Sequence, residues 1–145
     1  MVPVLTTVFC VITLLVSLIL PILALVVYAL RHKKQGIWSA WGLGALGFVI
    51  PQMCIRSPIL AVLQKQNWFA LFAQNHLFAY TFCLALTAGL FELAGRFASA
   101  RLMRRNLTAA RGLAAGMGHG GIEAMAFIGT AYINNLTEFA QKIFE

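Results

Sequence analysis

Residues 2–30 carry no charged side chain, and this run constrains the fold more than any other feature of the sequence. About 20 helical residues cross a bilayer core of about 30 Å, so the run is long enough to span with some tilt. Pro21 predicts a kink rather than an end, because apolar residues continue on both sides of it. A signal peptide carries its positive charge before a shorter apolar region. Here the basic residues follow the run, at positions 31–34, so we predict a retained membrane span.

Composition extends this conclusion to the whole chain. Hydrophobic residues make up 61% of the 145 residues and charged residues only 10%, whereas soluble domains carry roughly 25% charged residues. There are too few charges to cover a water-facing surface, so lipid must face much of the chain. Intrinsic disorder and a collagen-like fibre are excluded by the same composition. Because only helices satisfy the backbone over such spans in lipid, we predict an all-α, multi-pass membrane protein.

The apolar runs predict a single membrane-embedded domain over residues 1–145 with about four transmembrane helices. Their predicted positions are residues 4–30, 37–63, 76–100 and 112–136. The loop after the second span contains Trp68, Phe69 and Phe72, which indicate a segment lying at the membrane interface. A short amphipathic tail follows the fourth span.

The net charge of +7 raises the question of nucleic acid, but the distribution of the basic residues argues against it. They cluster at residues 31–34 and 101–111, each time between apolar runs, whereas a nucleic-acid footprint needs a basic face on a folded domain. Basic loops beside spans set topology by the positive-inside rule. We therefore predict lipid rather than nucleic acid as the partner, with both basic loops cytoplasmic and the N-terminus outside.

Few ionisable side chains lie inside the predicted spans: Glu92 and Arg96 on the third, His119 and Glu123 on the fourth, and Arg56, which shares a face with Gln52, on the second. Each charged group in a bilayer core costs roughly 2.5 kcal/mol or more, so several together need a shared reason. Glu92 and Arg96 are four residues apart and share one helical face, and so are His119 and Glu123. By helical period, Thr130 and Asn134 continue the second face as a polar stripe.

The depth of these groups predicts that the two pairs meet. Glu92 lies nine residues before Arg101, and His119 lies eight residues after Arg111. At about 1.5 Å per residue these separations are roughly 13 Å and 12 Å from the same basic loop. Two antiparallel helices would bring the pairs side by side in the cytoplasmic half of the membrane.

Spacing alone leaves two interpretations open. One is a polar clamp, in which Arg96 neutralises Glu92 while His119 and Glu123 hydrogen-bond to each other. The other is a site that binds metal or activates water, because imidazole and carboxylates suit zinc and a carboxylate can deprotonate water. The spacing Gly112, Gly116, Gly120 is explained by helix contact in either case.

Three strings carry a resemblance to a known family: GMGHGGIE at residues 116–123, AGLFELAGR at 88–96 and QMCIRSP at 52–58. Together they resemble the YhfC family of intramembrane metalloproteases, which is distantly similar to the CAAX prenyl protease and bacteriocin-processing membrane proteins. The resemblance implies a membrane peptidase in the bacterial plasma membrane, acting on a membrane peptide or protein, with zinc as its metal.

The resemblance also implies roles for the four buried groups. Glu92 would orient or activate the hydrolytic water, or bind the metal, and Arg96 would hold Glu92 charged and oriented. His119 would bind metal or stabilise the oxyanion. Glu123 would bind the metal or support its ligands.

The chain departs from the family pattern at two points. Phe91 precedes Glu92 where the wider superfamily has two adjacent glutamates, and no histidine follows His119. We therefore expect the N-terminal portion of the family's fold, with an incomplete site, weak metal binding and little hydrolysis by this chain alone. A second chain, or a homodimer supplying another His119, would complete the site. The alternative is a non-catalytic membrane protein, either partner-binding or a transport component, whose buried charges are structural clamps.

Overall fold

The computed structural model describes residues 4–33 and 35–144, and within these ranges the chain is helical without any strand. The basic cluster predicted at 31–34 is described only in part, because Lys34 lies outside these ranges. The α-helices are α1 (Val4–Arg31), α2 (Ile37–Phe48), α3 (Ser57–Leu63), α4 (Asn67–Asn75), α5 (Leu77–Met103), α6 (Ala109–Glu123) and α7 (Thr130–Phe144). A first π-helical segment, Val49–Arg56, joins α2 to α3, and a second, Ala124–Gly129, joins α6 to α7.

Three of the described helical stretches are long and apolar enough to cross a membrane: Leu5–Arg31, Ile37–Leu63 and Leu77–Met103. They coincide with the first three predicted spans, and the all-α, multi-pass membrane class is confirmed. The fourth predicted span, 112–136, lies in a stretch that is helical from Ala109 to Phe144. Its glycines, His119 and Glu123 make it more polar than the other three, and its crossing of the membrane stays a prediction.

Helix α1 runs through Pro21 without ending there. A Cβ added at Gly121 of α6 would lie 3.1 Å from the Cβ of Pro21, so the two helices pack closely at this level. Beyond the first loop, Gly36 adopts the left-handed conformation, with φ of 65°, immediately before α2. A residue with a side chain rarely adopts this conformation, so glycine suits the tight entry into α2.

Helix α2 is the centre of the bundle, because both α5 and α6 pack against it. Small residues allow the backbones to approach. A Cβ at Gly44 would overlap the backbone of Ala115, and one at Gly118 would overlap the backbone of Trp41. Further along α2, Gly47 meets Gly95 of α5 in the same manner. The contacts with α2 therefore hold α5 and α6 beside each other.

The predicted contact role of Gly112, Gly116 and Gly120 is wrong for the interior of this chain. Among the described residues, no atom beyond the chain neighbours and the surrounding backbone of α6 lies within 4 Å of a Cβ added at any of the three. Helix α6 instead buries its opposite face against α2, through residues such as Ala114, Ala115 and Gly118. A glycine-to-glycine spacing of four residues gives a small face but does not say which face a neighbouring helix takes.

Candidate metal centre

Helices α5 and α6 bring the two predicted pairs together. One donor atom from each of Glu92, His119 and Glu123 lies within 4.8 Å of the other two, a spacing that one metal ion could bridge. The meeting of the pairs follows the depths estimated from the sequence, since both helices start or end at the same loop and both pack on α2. The chemical roles of these residues stay predictions.

Arg96 connects the two helices at this group. Its Nη2 donates to Oε2 of Glu92 at 3.0 Å, within one face of α5. Its Nε donates to Nε2 of His119 on α6 at 3.4 Å. The Arg96 side chain is 58% exposed and that of Glu92 25%, so the pair lies at the edge of the bundle rather than inside it.

His119 is the most deeply buried member of the group, with 4% of its surface exposed. The edge of its ring packs against Phe48 of α2, with ring centroids 5.3 Å apart at 79°. Since Arg96 only donates, Nε2 must present a lone pair, and the imidazole is neutral. Within the described part of the chain, the buried Nδ1 of His119 has no hydrogen-bond partner. With Nε2 accepting, Nδ1 carries the proton, and a buried N–H without an acceptor is costly.

The polar clamp is formed only in part. Arg96 pairs with Glu92 as that interpretation requires. The second half is missing, because Nε2 of His119 contacts Arg96 and Nδ1 bonds to none of the described residues, so His119 and Glu123 are close without a mutual hydrogen bond. The polar stripe predicted beyond Glu123 does not continue the site either. The second π segment intervenes, and both Thr130 and Asn134 are exposed on α7.

Reasoning from the sequence missed Gln52 as a neighbour of the group. Gln52 is 2% exposed and lies in the first π segment. Its Nε2 donates to Oε1 of Glu92 at 3.4 Å and to the Ala88 carbonyl at 3.0 Å. The signal in the sequence was the shared face of Gln52 and Arg56, four residues apart. That spacing did not tell which helix the face meets.

A cavity of about 520 Å³ lies between α5 and α6, next to the group. Arg96 and His119 line it together with small and apolar residues. The open glycine face of α6, formed by Gly112, Gly116 and Gly120, is one wall of this cavity. Because that face carries no side chains, the space between it and α5 stays unfilled, and this space reaches the buried histidine.

The fold and the site define a multi-pass helical membrane protein in which two carboxylates and one imidazole converge between helices. The sequence profile of the YhfC intramembrane metalloprotease family matches residues 16–144, and the chain belongs to this family. The chain is 32% identical over 120 residues to the uncharacterized membrane protein YhfC of Bacillus subtilis (strain 168). That alignment covers 82% of this chain and 46% of the relative, so the chain spans about half the relative's length. No solved structure matches the chain.

The family description implies a metal, and the donors of this group fit one. Imidazole nitrogen and carboxylate oxygen are zinc ligands in proteins. Three such donors lie within 4.8 Å of one another. Because Nε2 of His119 accepts from Arg96, binding a metal through either ring nitrogen requires that Arg96 release Nε2. With both carboxylates ionised, the single positive charge of Arg96 leaves the four groups with a net negative charge, which favours a cation.

Proposed function

We propose that this chain carries the metal-binding and water-activating centre of a membrane-embedded peptidase. The observation that supports the proposal best is the convergence of Glu92, His119 and Glu123, each with a donor atom within 4.8 Å of the others. These side chains come from two helices, and one of them, His119, lines the neighbouring cavity. Membership of the family supports the same reaction class.

Zinc is the metal we assign to the group, held by His119, Glu92 and Glu123. Catalytic zinc sites typically have three protein ligands and leave a further position for water. A zinc ion in such a site makes water nucleophilic at neutral pH and polarises a carbonyl. With only three donors, two of them carboxylates, we expect this group to bind zinc more weakly than a closed four-ligand structural site does.

Glu92 is also the residue we assign to proton transfer, through the carboxylate oxygen that does not hold the metal. Arg96 and Gln52 each donate to a different oxygen of its carboxylate, and these bonds fix its orientation. In the proposed reaction, Glu92 accepts a proton as water adds to the carbonyl carbon of a peptide bond. The proton then passes to the amine nitrogen as the carbon–nitrogen bond breaks. General acid–base transfer of this kind requires a carboxylate held within hydrogen-bond reach of the water.

The substrate class we propose is a membrane peptide or protein segment. The cavity that would receive it has small and apolar walls, including Ala100, Met103 and Leu107. The glycine face of α6 leaves its backbone accessible to such a segment. The proposed location is the bacterial plasma membrane, with the basic loops on the cytoplasmic side.

A second candidate is a non-catalytic membrane protein in which these charges serve only structure. The observation that favours it is the Arg96 bridge. Arg96 neutralises Glu92 and contacts His119, so helices α5 and α6 are linked without any metal. This candidate leaves the Nδ1 of His119 without a function.

The two candidates are separated by zinc content and peptide cleavage of the purified chain in bicelles. We expect zinc to bind, and His119→Ala and Glu123→Gln to abolish binding. His76→Ala and Glu138→Gln are matched controls, because both residues are exposed and neither belongs to the group. Cleavage of a transmembrane peptide that is lost in Glu92→Gln supports the peptidase. A chain that takes up no zinc, or whose His119→Ala variant retains it, is not a metallopeptidase of this design.

A further inference from the structure

We infer that Gln52 is a positioning residue for Glu92, and that Arg56 in turn fixes the amide of Gln52. The inferred contribution to catalysis rests on the proposed function, but the hydrogen-bonded arrangement itself does not. Gln52 is buried in the membrane-spanning stretch Ile37–Leu63, where an amide needs partners for all its polar atoms. Its partners lead to Glu92 on one side and to Arg56 on the other.

The amide of Gln52 has one orientation that satisfies its neighbours. Its Nε2 donates to the Glu92 carboxylate and to the Ala88 carbonyl, both of which only accept. Its Oε1 accepts from Nη1 of Arg56 at 3.4 Å, and that guanidinium only donates. A flipped amide would place Oε1 against the oxygens of Glu92 and Ala88, and Nε2 against the guanidinium of Arg56, so none of these contacts would be a hydrogen bond. Gln52 therefore presents an N–H group to Oε1 of Glu92.

Arg56 is held in place behind Gln52. Its Nη2 donates to the Leu84 carbonyl of α5 at 2.8 Å. In the described part of the chain Arg56 forms no ion pair. A charge inside a membrane span needs a reason, and polarising the Gln52 amide toward the Glu92 carboxylate supplies one. Glu92 is thereby held from two sides, with Arg96 on Oε2 and Gln52 on Oε1.

The local backbone explains how Gln52 reaches α5. Pro51 has no backbone N–H and therefore removes one hydrogen bond of the helical ladder, and it lies in the first π segment. The hydroxyl of Ser57 donates to the Gln52 carbonyl at 2.9 Å, and the backbone N–H of Ser57 donates to the same carbonyl. One turn earlier, Gly47 and Gly95 let the two helices touch. The side chain of Gln52 is then long enough to reach from the first π segment to α5.

Gln52→Met tests the inference, because it keeps the length and removes the hydrogen bonds. Gln74→Met is the matched control, since Gln74 is exposed on α4. The first measurement uses the chain stripped of metal with a chelator. Thermal unfolding in detergent is compared for Gln52→Met, Glu92→Gln and the double variant. We expect the unfolding temperature of the double variant to fall by less than the sum of the two single decreases, as for residues in direct contact.

The second measurement titrates Co²⁺ into the purified chain and follows its d–d absorption spectrum, which reports ligand geometry. We expect Gln52→Met to lower Co²⁺ affinity about 10- to 100-fold and to change the spectrum, because partners that orient a ligand have effects of this size. Gln74→Met should change neither. Arg56→Lys keeps the positive charge but removes the planar guanidinium. It should give a smaller change in the same direction.

The two measurements separate the inference from the proposed function. Additive thermal shifts together with an unchanged Co²⁺ spectrum in Gln52→Met overturn the inference while leaving the metal centre intact. If the unaltered chain binds no Co²⁺ but the thermal shifts are non-additive, the proposed function fails and the positioning of Glu92 by Gln52 stands. Coupled shifts with a changed spectrum support both.

Discussion

The Nε atom of Arg96 lies 3.4 Å from Nε2 of His119, so one side chain joins α5 to the buried imidazole of α6. The same guanidinium pairs with Glu92 at 3.0 Å. An ion pair between residues four apart would stabilise only its own helix. Because Arg96 also contacts His119, it helps to fix the position of α5 relative to α6.

The first prediction concerns the Glu92–Arg96 pair. Arg96→Ala removes the partner of a carboxylate inside a span and should lower the unfolding temperature in detergent. Glu92→Gln removes the negative charge that Arg96 otherwise neutralises. The unfolding temperature of the Glu92→Gln, Arg96→Ala double variant should therefore fall by less than the sum of the two single decreases. We expect a coupling free energy of about 0.5–3 kcal/mol.

The control for this pair combines Glu92→Gln with Arg101→Ala, because Arg101 is exposed and lies more than two turns further along α5. These two substitutions should be additive. Equal additivity in both cycles would show that the Glu92–Arg96 interaction does not contribute to stability.

The second prediction compares two glycines of α6 that differ only in what faces them. A Cβ at Gly118 would overlap the backbone of Trp41, whereas one at Gly116 meets open space. Gly118→Ala should therefore separate α2 from α6 and cost on the order of 1–3 kcal/mol of stability. Gly116→Ala should be neutral or stabilising, because alanine favours a helix by up to about 1 kcal/mol over glycine.

Thermal unfolding of the two alanine variants in the same detergent measures this difference. If Gly116→Ala proved the more damaging substitution, the face of α6 that contacts α2 would be assigned wrongly. A loss that depended on protein concentration would instead indicate that Gly116 contacts a second copy of the chain.

How far the sequence predicted the site depends on whether the helix between two residues is regular. Glu92 and Arg96, like His119 and Glu123, lie within uninterrupted α-helix, so counting by 3.6 residues placed each pair on one face. Counting failed beyond Glu123, where a π segment changes the angle between successive side chains, and Thr130 and Asn134 lie apart from the site. Around Pro51 it placed Gln52 and Arg56 on one face, in agreement with their hydrogen bond, but it did not tell that this face meets Glu92. Pattern alone does not mark a π segment, because its stability comes from tertiary packing.

The third prediction concerns topology. The loops that contain Arg31 and Arg104 are basic, whereas the segment 64–75 carries only Lys65. By the positive-inside rule the two basic loops face the cytoplasm and segment 64–75 faces outward. Single cysteines introduced into each loop, in a chain without Cys10, Cys54 and Cys83, should report this by labelling with an impermeant maleimide. In intact cells, only the cysteine introduced into segment 64–75, at position 70, should be labelled. Labelling of either basic loop from outside would reverse the orientation of the proposed cytoplasmic site.

The last prediction concerns stabilisation by metal. A ligand that binds only the folded chain stabilises it by an amount that depends on the ratio of the free ligand concentration to Kd. At a ligand concentration of 100 times Kd the gain in the free energy of unfolding is about 2.7 kcal/mol. Zinc should therefore raise the unfolding temperature of the chain in detergent, and a chelator should reverse the shift. Because the donors come from α5 and α6, metal holds together two helices that Arg96 otherwise joins. The zinc shift should vanish in His119→Ala and Glu123→Gln and persist in His76→Ala and Glu138→Gln, whose side chains lie outside the group. A shift of equal size in His119→Ala would place the zinc elsewhere on the chain and exclude the proposed centre.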